Sequence, residues 1–204
     1  QDAAEDAETA DNARLIQAAC QRARTLIQQI LLFGGKGRQA QQEVELDVMV
    51  REVTALLRST LPENVSVQLH NGSSPVRILA DPAAVHQVLL NLCANGIDAM
   101  RPGGGVLELS VTAGVPSPES PLFPPEHEGL FALLAVRDSG CGMGPDTIDR
   151  IFEPFFSTKE GGKGTGMGLP LVRRIIEELQ GTLRVRTAPG AGSCFEVYFP
   201  LPDA

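Results

Sequence analysis

A long amphipathic helix is predicted at the start of the chain, from about Ala7 to Gln39. Its apolar residues recur at alternating steps of four and three, a spacing typical of coiled coils and helical bundles. A single helix of this length cannot bury so broad a stripe by itself. We therefore expect it to pack against a second copy of itself or a helix outside this chain, and the alternative is packing against the rest of the chain. The stripe comprises Ile16, Cys20, Ala23, Ile27 and Ile30, widened by Leu15, Ala19 and Leu26.

Beyond this helix the hydrophobic pattern alternates between helical and strand periods, which predicts an α+β fold. Asn71-Gly72 is a turn signal that predicts a hairpin, and Asp81-Pro82 predicts the start of a helix. We expect a mostly antiparallel sheet with helices on one face, and a proline-rich surface excursion over Val115–Gly129. The predicted helices cover Val44–Leu61, Asp81–Met100, Asp146–Phe152 and Gly168–Gln180, and the strands cover Val65–His70, Pro75–Ala80, Val106–Ala113, Leu130–Val136, Thr182–Thr187 and Cys194–Phe199.

Composition supports a globular domain and argues against nucleic acid as a partner. The 204 residues include 17 basic and 25 acidic side chains, a net charge of −8, so no basic binding surface is indicated. A hydrophobic content of 43% suits a packed core. Five of the acids precede the first basic residue and indicate a solvated leader: Asp2, Glu5, Asp6, Glu8 and Asp11.

The sequence indicates a cytoplasmic segment. Its longest apolar run, Leu130–Val136, is far shorter than the roughly 20 residues that a membrane helix needs. No signal peptide opens the chain, although the intact protein could still be anchored in a membrane. The cysteines have no paired or zinc-like spacing, which indicates reduced thiols: Cys20, Cys93, Cys141 and Cys194.

Three polar residues share one face of the predicted helix that ends at Met100. Asn91 and Asn95 are four residues apart, and Asp98 follows after three more. Carboxamides among apolar residues are costly to bury unless something binds them, and a hard divalent cation with phosphate oxygens would suit them. Helix capping or simple surface exposure is the alternative.

An aspartate ends the strand predicted before the glycine-rich stretch Gly140–Gly168. Asp138 is followed by Gly140, Gly142 and Gly144, which allow backbone to approach a ligand closely. Such a carboxylate could accept a hydrogen bond from an exocyclic amine such as that of adenine. A calcium loop is not indicated, because further acids at alternate positions are missing.

Two further segments precede the helix predicted at Gly168. Ile151–Lys159 contains three phenylalanines within five residues, which would pin a loop locally and is compatible with a mobile lid. Gly161–Leu169 is glycine-rich and leads into the helix, where backbone N–H groups and the helix dipole can hold phosphate. It matches neither a Walker loop nor a Rossmann fingerprint, and a flexible hinge is the alternative.

Taken in order, these four segments resemble the N, G1, F and G2 boxes of the GHKL ATPase superfamily. The motifs are "HQVLLNLCANGIDAM", "DSGCGM", "FEPFFSTK" and "GKGTGMGL", and they are most similar to the catalytic ATP-binding domain of bacterial sensor histidine kinases. The resemblance covers about Val44–Pro200, including the ending "GSCFEVYFP". It implies a Bergerat-type α/β sandwich over residues 41–204. Residues 1–40 resemble the second helix of a dimerisation and histidine-phosphotransfer bundle.

The resemblance also implies a role for individual residues. Asp138 would bind the adenine amine, with Gly142 nearby and Ser193 assisting through water. Asn95, with Asn91, would hold Mg²⁺ on the triphosphate of ATP. Phe155 and Phe156 would anchor the lid against the domain, and Lys159, Lys163 and Thr165 would bind the outer phosphates. The full expected set of nucleotide contacts is Asn91, Asn95, Asp98, Asp138, Gly140, Gly142, Met143, Phe155, Lys159, Lys163, Gly164, Thr165, Gly166, Met167, Gly168, Leu169 and Ser193, with Asn91, Asn95 and Lys159 as the catalytic members.

Two positions distinguish this sequence within the superfamily. The hydrolytic members usually carry glutamate where Asn91 stands, and an amide cannot act as a general base toward water. Gly96 replaces the usual alanine, which adds helix flexibility of up to about 1 kcal/mol but removes no ligand.

No histidine of this chain fits the expected phosphoacceptor. His70 and His86 lie on a predicted strand and in the N box, and His127 lies in the proline-rich excursion. We expect the acceptor helix to precede Gln1, and the alternative is that another chain supplies it. Implied partners are that helix, a response-regulator receiver domain and a second copy bound through the N-terminal helix. The leading hypothesis is a phosphoryl donor, and the alternatives are an ATP-binding regulatory module and an ATP hydrolase.

Overall fold

The computed structural model describes residues 40–58, 61–72, 75–101, 103–114, 129–159 and 164–201. The predicted N-terminal helix, the proline-rich excursion up to residue 128 and Lys163 lie outside these ranges. The expected domain boundary after residue 40 stays a prediction. The helices are α1 (Leu46–Arg58), α2 (Pro82–Met100), α3 (Pro145–Ile148) and α4 (Gly168–Glu178), and the strands are β1 (Gln42–Glu45), β2 (Val65–Asn71), β3 (Arg77–Ala80), β4 (Gly105–Gly114), β5 (Phe131–Asp138), β6 (Thr182–Thr187) and β7 (Ser193–Pro200).

Five strands form the main sheet in the order β2-β4-β5-β7-β6. The β2–β4 pair is parallel and the other three neighbouring pairs are antiparallel. The α+β fold with a mostly antiparallel sheet is therefore confirmed. None of the helices in the described ranges is long and apolar enough to cross a membrane.

The predicted hairpin between the second and third strands is wrong. Strand β2 pairs with β4, whereas β3 pairs with β1 in a separate two-stranded sheet in which Val44 lies opposite Ile78. The first residues of the expected Val44 helix are therefore a strand, and α1 begins at Leu46. Two hydrogen bonds explain this junction: Leu46 N donates to the Val76 carbonyl at 2.9 Å, and Val76 N donates to Asp47 Oδ2 at 2.9 Å.

Helix α2 is the central element behind the site. It begins as predicted, because Asp81 Oδ1 accepts from Ala83 N at 2.9 Å and Pro82 needs no donor partner in the first turn. The helix packs against α1, α4 and strands β4 and β5. Its buried face is apolar, while a second face carries the amide side chains of the site. The buried residues are Val85, Val88, Leu89, Leu92, Cys93, Gly96, Ile97 and Met100.

The two faces of the main sheet differ in character. Alternate residues of β4, β5 and β7 are buried toward the helices. On β4 these are Leu107, Leu109 and Val111, which have no exposed surface. The opposite face is a shallow concavity of about 550 Å³ bordered by charged residues, including Arg137, Arg186 and Glu196. The residues buried toward the helices include Leu107, Leu109, Val111, Leu134, Val136, Phe195 and Val197.

Candidate functional site

Two amide side chains of α2 face the beginning of α4. Asn91 Nδ2 donates to the Gln87 carbonyl at 3.0 Å, which orients its Oδ1 away from its own helix turn. A Cβ atom on Gly168 would lie 3.2 Å from Asn91 Oδ1 and 3.9 Å from Asn95 Nδ2. The absence of a side chain at residue 168 therefore lets the start of α4 lie close to both amides.

A charged cluster adjoins these amides at the C-terminal end of α2. Lys159 Nζ lies 2.5 Å from Asp98 Oδ2 and 3.4 Å from Asn95 Oδ1. Arg101 Nε lies 2.8 Å from the other carboxylate oxygen of Asp98. The ammonium group of Lys159 thus bridges a carboxylate and an amide oxygen, while Asp98 bridges two cations.

Asp138 lies at the other side of α2, where β5 ends. Only 4% of its surface is exposed. Its Oδ1 accepts from Gly140 N at 2.8 Å and from Ser193 N at 3.3 Å, and no residue of the described ranges donates to Oδ2. Burial raises the pKa of the Asp138 carboxyl above its ordinary value, and the two backbone hydrogen bonds oppose that rise. Asp138 therefore offers one buried acceptor oxygen to a ligand.

The loop after Asp138 is held by the ends of β6 and β7. Gly142 has φ of 63°, and a Cβ there would collide with the Ala188 carbonyl, so glycine is required. Met143 N donates to Thr187 Oγ1 at 2.9 Å. That hydroxyl in turn donates to the Gly192 carbonyl and lies 3.1 Å from Ser193 Oγ. Thr187 was missed by sequence reasoning, since only its place before an Ala-Pro-Gly turn marks it.

The phenylalanine-rich segment contacts the glycine-rich segment through backbone. Phe155 N donates to the Gly166 carbonyl at 3.0 Å. The Phe155 side chain is 77% exposed, so the expectation that it anchors the segment is wrong in this structure. The guanidinium carbon of Arg150 lies over the Phe156 ring, 4.3 Å from the ring centroid. The backbone hydrogen bond, not the Phe155 ring, joins the two segments.

The remaining expected contacts fall into three groups. Gly164, Thr165, Gly166 and Met167 form the half-buried run that leads into α4, where Met167 N donates to Thr165 Oγ1 at 3.4 Å. Leu169 and Met143 pack against the core, so their side chains have a structural role. Gly140 packs against Ala99 of α2, and Cys141 N donates to the Ala99 carbonyl at 3.3 Å.

The two halves of the site share helix α2. Gly96 lies against Asp138, while the neighbouring Asn95 faces the start of α4. The carboxylate at the end of β5, which suits a base, and the amides of α2, which suit a metal–phosphate group, thus both border the same helix. Amide oxygens are hard donors, and the ammonium group of Lys159 already contacts Asn95 Oδ1, so Asn91 and Asn95 fit Mg²⁺.

Comparisons with known proteins identify the family. The family described as histidine kinase-, DNA gyrase B-, and HSP90-like ATPase matches residues 80–203. Sporulation kinase C of Bacillus subtilis is 35% identical over 77% of this chain, and sensor kinase CckA of Brucella abortus is 31% identical over 91%. This chain spans only 33% and 20% of the length of those two relatives.

Solved structures agree with this assignment. The catalytic domain of histidine kinase ThkA is 26% identical and covers 79% of this chain and 96% of its own, with a TM-score of 0.63. Full-length ShkA in complex with AMPPNP is 26% identical and covers 88% of this chain and 36% of its own, with a TM-score of 0.67. Because the family match includes all four segments that form this site, the chain belongs to the histidine kinase-, DNA gyrase B- and HSP90-like ATPase family.

Proposed function

We propose that this chain binds Mg²⁺-ATP and donates the γ-phosphoryl group to a histidine on a dimerisation bundle. The observation that carries the proposal is the arrangement around α2, with Asp138 against Gly96 on one side and the Asn91 and Asn95 amides facing Gly168 on the other. A purine at one end and a polyphosphate at the other would place one ligand along this helix.

The Asp138 end favours adenine as the base. Its Oδ2 is an acceptor oxygen in a buried position, and an exocyclic amine is the complementary donor. Guanine carries an acceptor oxygen where adenine carries its amine, so a carboxylate there would repel it. The backbone N–H of Ser193 donates to Asp138 Oδ1, and Ser193 would help to bind the base through a water molecule.

The opposite end favours phosphates. The backbone of residues 164–168 leads into α4, an 11-residue helix whose N-terminal N–H groups attract anions. Lys159 would contact the outer phosphates, and Asn95 with Asn91 would hold Mg²⁺. When bound, the metal neutralises charge on the phosphate oxygens. Lys163 belongs to the same proposal on sequence grounds alone.

The composition of the site favours transfer over hydrolysis. Asn91 presents an amide near the start of α4, and an amide cannot take a proton from water. Asp98, the acid of this cluster, has a cation on each of its oxygens. No free carboxylate stands beside these amides in the described ranges, which supports a protein nucleophile as the acceptor. A response regulator would then receive the phosphoryl group, as in two-component signalling.

The proposal is tested by phosphotransfer in trans. The chain is incubated with γ-labelled ATP and a separately supplied four-helix bundle that carries an acceptor histidine. We expect label on the bundle, and we expect Asn95→Ala to abolish it. Nucleotide binding without label on any histidine-bearing bundle would favour the regulatory module. Release of inorganic phosphate without a bundle would favour the hydrolase.

A further inference from the structure

We propose that Asp98 is a positioning residue that holds Lys159 over the metal ligand Asn95, so that the site accepts a divalent cation only together with the polyphosphate. This inference rests on the proposed function and goes beyond it. It concerns how this chain's own charges control entry to the site.

The ammonium group of Lys159 lies where a divalent cation would have to lie. Lys159 Nζ is within 3.4 Å of Asn95 Oδ1 and 2.5 Å of Asp98 Oδ2, so those two oxygens converge on one point. A cation bound to Asn95 Oδ1 would stand within a few ångströms of this ammonium group. Two positive charges at that distance repel each other, and the partly buried position weakens screening by solvent.

Arg101 allows Lys159 to leave Asp98 without leaving the Asp98 carboxylate unpaired. Its Nε pairs with Asp98 Oδ1, whereas Lys159 pairs with Oδ2, so each carboxylate oxygen has its own cation. When Lys159 moves to a phosphate, Asp98 keeps a partner. Asp98, Lys159 and Arg101 together carry one surplus positive charge, which attracts a polyphosphate and repels a free metal ion.

The Lys159 side chain can make this move without its backbone. Lys159 N donates to Ser157 Oγ at 3.2 Å, which ties its main chain to the preceding turn. The ammonium group lies at the end of a flexible four-carbon stem. Lys159 therefore exchanges its partners, from Asp98 and Asn95 to phosphate oxygens, by rotation within the side chain.

Nucleotide-free metal binding tests this inference. Mn²⁺ serves as the probe, titrated by electron paramagnetic resonance into the wild-type chain and the Lys159→Met variant. We expect the wild type to bind free Mn²⁺ only in the millimolar range and Lys159→Met to bind it at least tenfold more tightly. The double variant Lys159→Met/Asp98→Asn should lose that gain, because the carboxylate is what the metal would then use.

Two results would overturn the inference. One is micromolar binding of free Mn²⁺ by the wild-type chain. This result does not depend on the folding of any variant. The other is unchanged Mn²⁺ affinity in a Lys159→Met variant whose thermal midpoint matches the wild type. Arg77→Met is the matched control, since it removes a cation from an ion pair in the two-stranded sheet.

The same preparation separates this inference from the proposed function. Binding of ADP with Mn²⁺ by the wild type is measured beside the metal titration. If ADP with metal does not bind at all, the proposed function fails. If it binds and Lys159→Met gains no affinity for free Mn²⁺, only the role of Lys159 and Asp98 fails.

Discussion

Gly96 and Asp138 are packed so closely that a single methyl group would disturb them. A Cβ on Gly96 would lie 3.2 Å from Asp138 Cβ and 2.8 Å from Leu107 Cδ1. Leu107 is fully buried, so it has little room to move. A shift of α2 at this contact would therefore move the Asp138 carboxylate, which we propose binds the base.

Gly96→Ala should therefore weaken nucleotide binding more than it changes stability. Alanine improves helix propensity by about 1 kcal/mol, and overpacking costs about 1–3 kcal/mol, so the net change in unfolding free energy is small. Displacement of Asp138 should weaken ADP binding by roughly tenfold, equivalent to about 1.4 kcal/mol. Isothermal calorimetry with ADP measures the affinity, and thermal unfolding measures the stability.

The double variant Gly96→Ala/Leu107→Val is the control for this prediction. Valine removes the Leu107 methyl group that lies closest to the new Cβ. Binding should recover in part if steric displacement is the cause. An ADP affinity of Gly96→Ala equal to that of the wild type would show that Asp138 does not depend on this contact.

Asp138→Asn should weaken ADP binding and reduce the preference for adenine. Asparagine keeps an acceptor for the N–H groups of Gly140 and Ser193 but replaces the second oxygen with a donor. A hydrogen bond to a charged group is worth about 1.5–3 kcal/mol, so ADP should bind roughly 10- to 150-fold more weakly. Binding of ADP and GDP is compared by calorimetry, with Asp149→Asn as the exposed control.

Asp138→Asn should stabilise the folded protein at neutral pH, although it weakens nucleotide binding. Burial raises the pKa of Asp138 in the folded protein above the unfolded value of 3.8. The folded state therefore binds the proton more tightly, and stability falls as pH rises through the interval between the two values. The penalty is absent below pH 3.8 and fully present above the raised value. Asp138→Asn avoids it.

The measurement is the thermal midpoint of both proteins as a function of pH. The variant should be the more stable protein at pH 7, and its advantage should shrink as pH falls toward 3.8. Nucleotide binding by the wild type should weaken over the same acidic interval, since the protonated carboxyl is a poorer acceptor. A less stable variant at pH 7 would contradict the assigned cause.

Local signals in the sequence were sufficient for several elements. The start of α2 was predicted because Asp81 and Pro82 act within the first helical turn. Strand β6 has the predicted bounds, since its alternation is local. The hairpin after Asn71 was wrong because β3 pairs with β1 and β2 with β4, and a turn signal does not reveal partners distant in sequence.

The candidate site also contains residues that local sequence predicts and contacts that it does not predict. Asn91, Asn95 and Asp138 could be selected from spacing and motif, which depend on neighbours along the chain. The contacts of Thr187 with Met143 and of Lys159 with Asp98 join residues that are far apart along the chain, so no motif records them. Phe155 was expected to be an anchor, yet only its backbone serves that purpose.

Arg186→Met should destabilise the fold without affecting nucleotide binding. Arg186 forms a hydrogen-bonded ion pair with Glu196, which is only 6% exposed, on the open face of the sheet. Removing the guanidinium leaves Glu196 with Arg184 at 3.9 Å and with the Tyr198 hydroxyl, which donates to its Oε2 at 3.4 Å. The loss should be about 2 kcal/mol, because the buried carboxylate loses its strongest partner.

Urea unfolding of Arg186→Met measures this loss, and Arg77→Met provides a matched comparison. Both arginine side chains are 60% exposed, but the carboxylates paired with Arg77 are much more exposed than Glu196. Arg77→Met should therefore cost less than about 1 kcal/mol. Equal losses in the two variants would mean that burial of Glu196 does not strengthen its ion pair.

Gly168→Ala should raise the Mg²⁺ concentration needed for nucleotide binding. The added Cβ would lie 3.2 Å from Asn91 Oδ1, so the amide must shift by a few tenths of an ångström. We expect roughly three- to tenfold weaker binding of the metal–nucleotide complex, equivalent to about 1 kcal/mol. Binding of a non-hydrolysable ATP analogue is titrated at several Mg²⁺ concentrations. Gly114→Ala is the matched control, because residue 114 ends β4 and a Cβ there meets nothing within 4 Å. If both variants respond to Mg²⁺ like the wild type, the close approach of Gly168 to Asn91 is not part of the metal site.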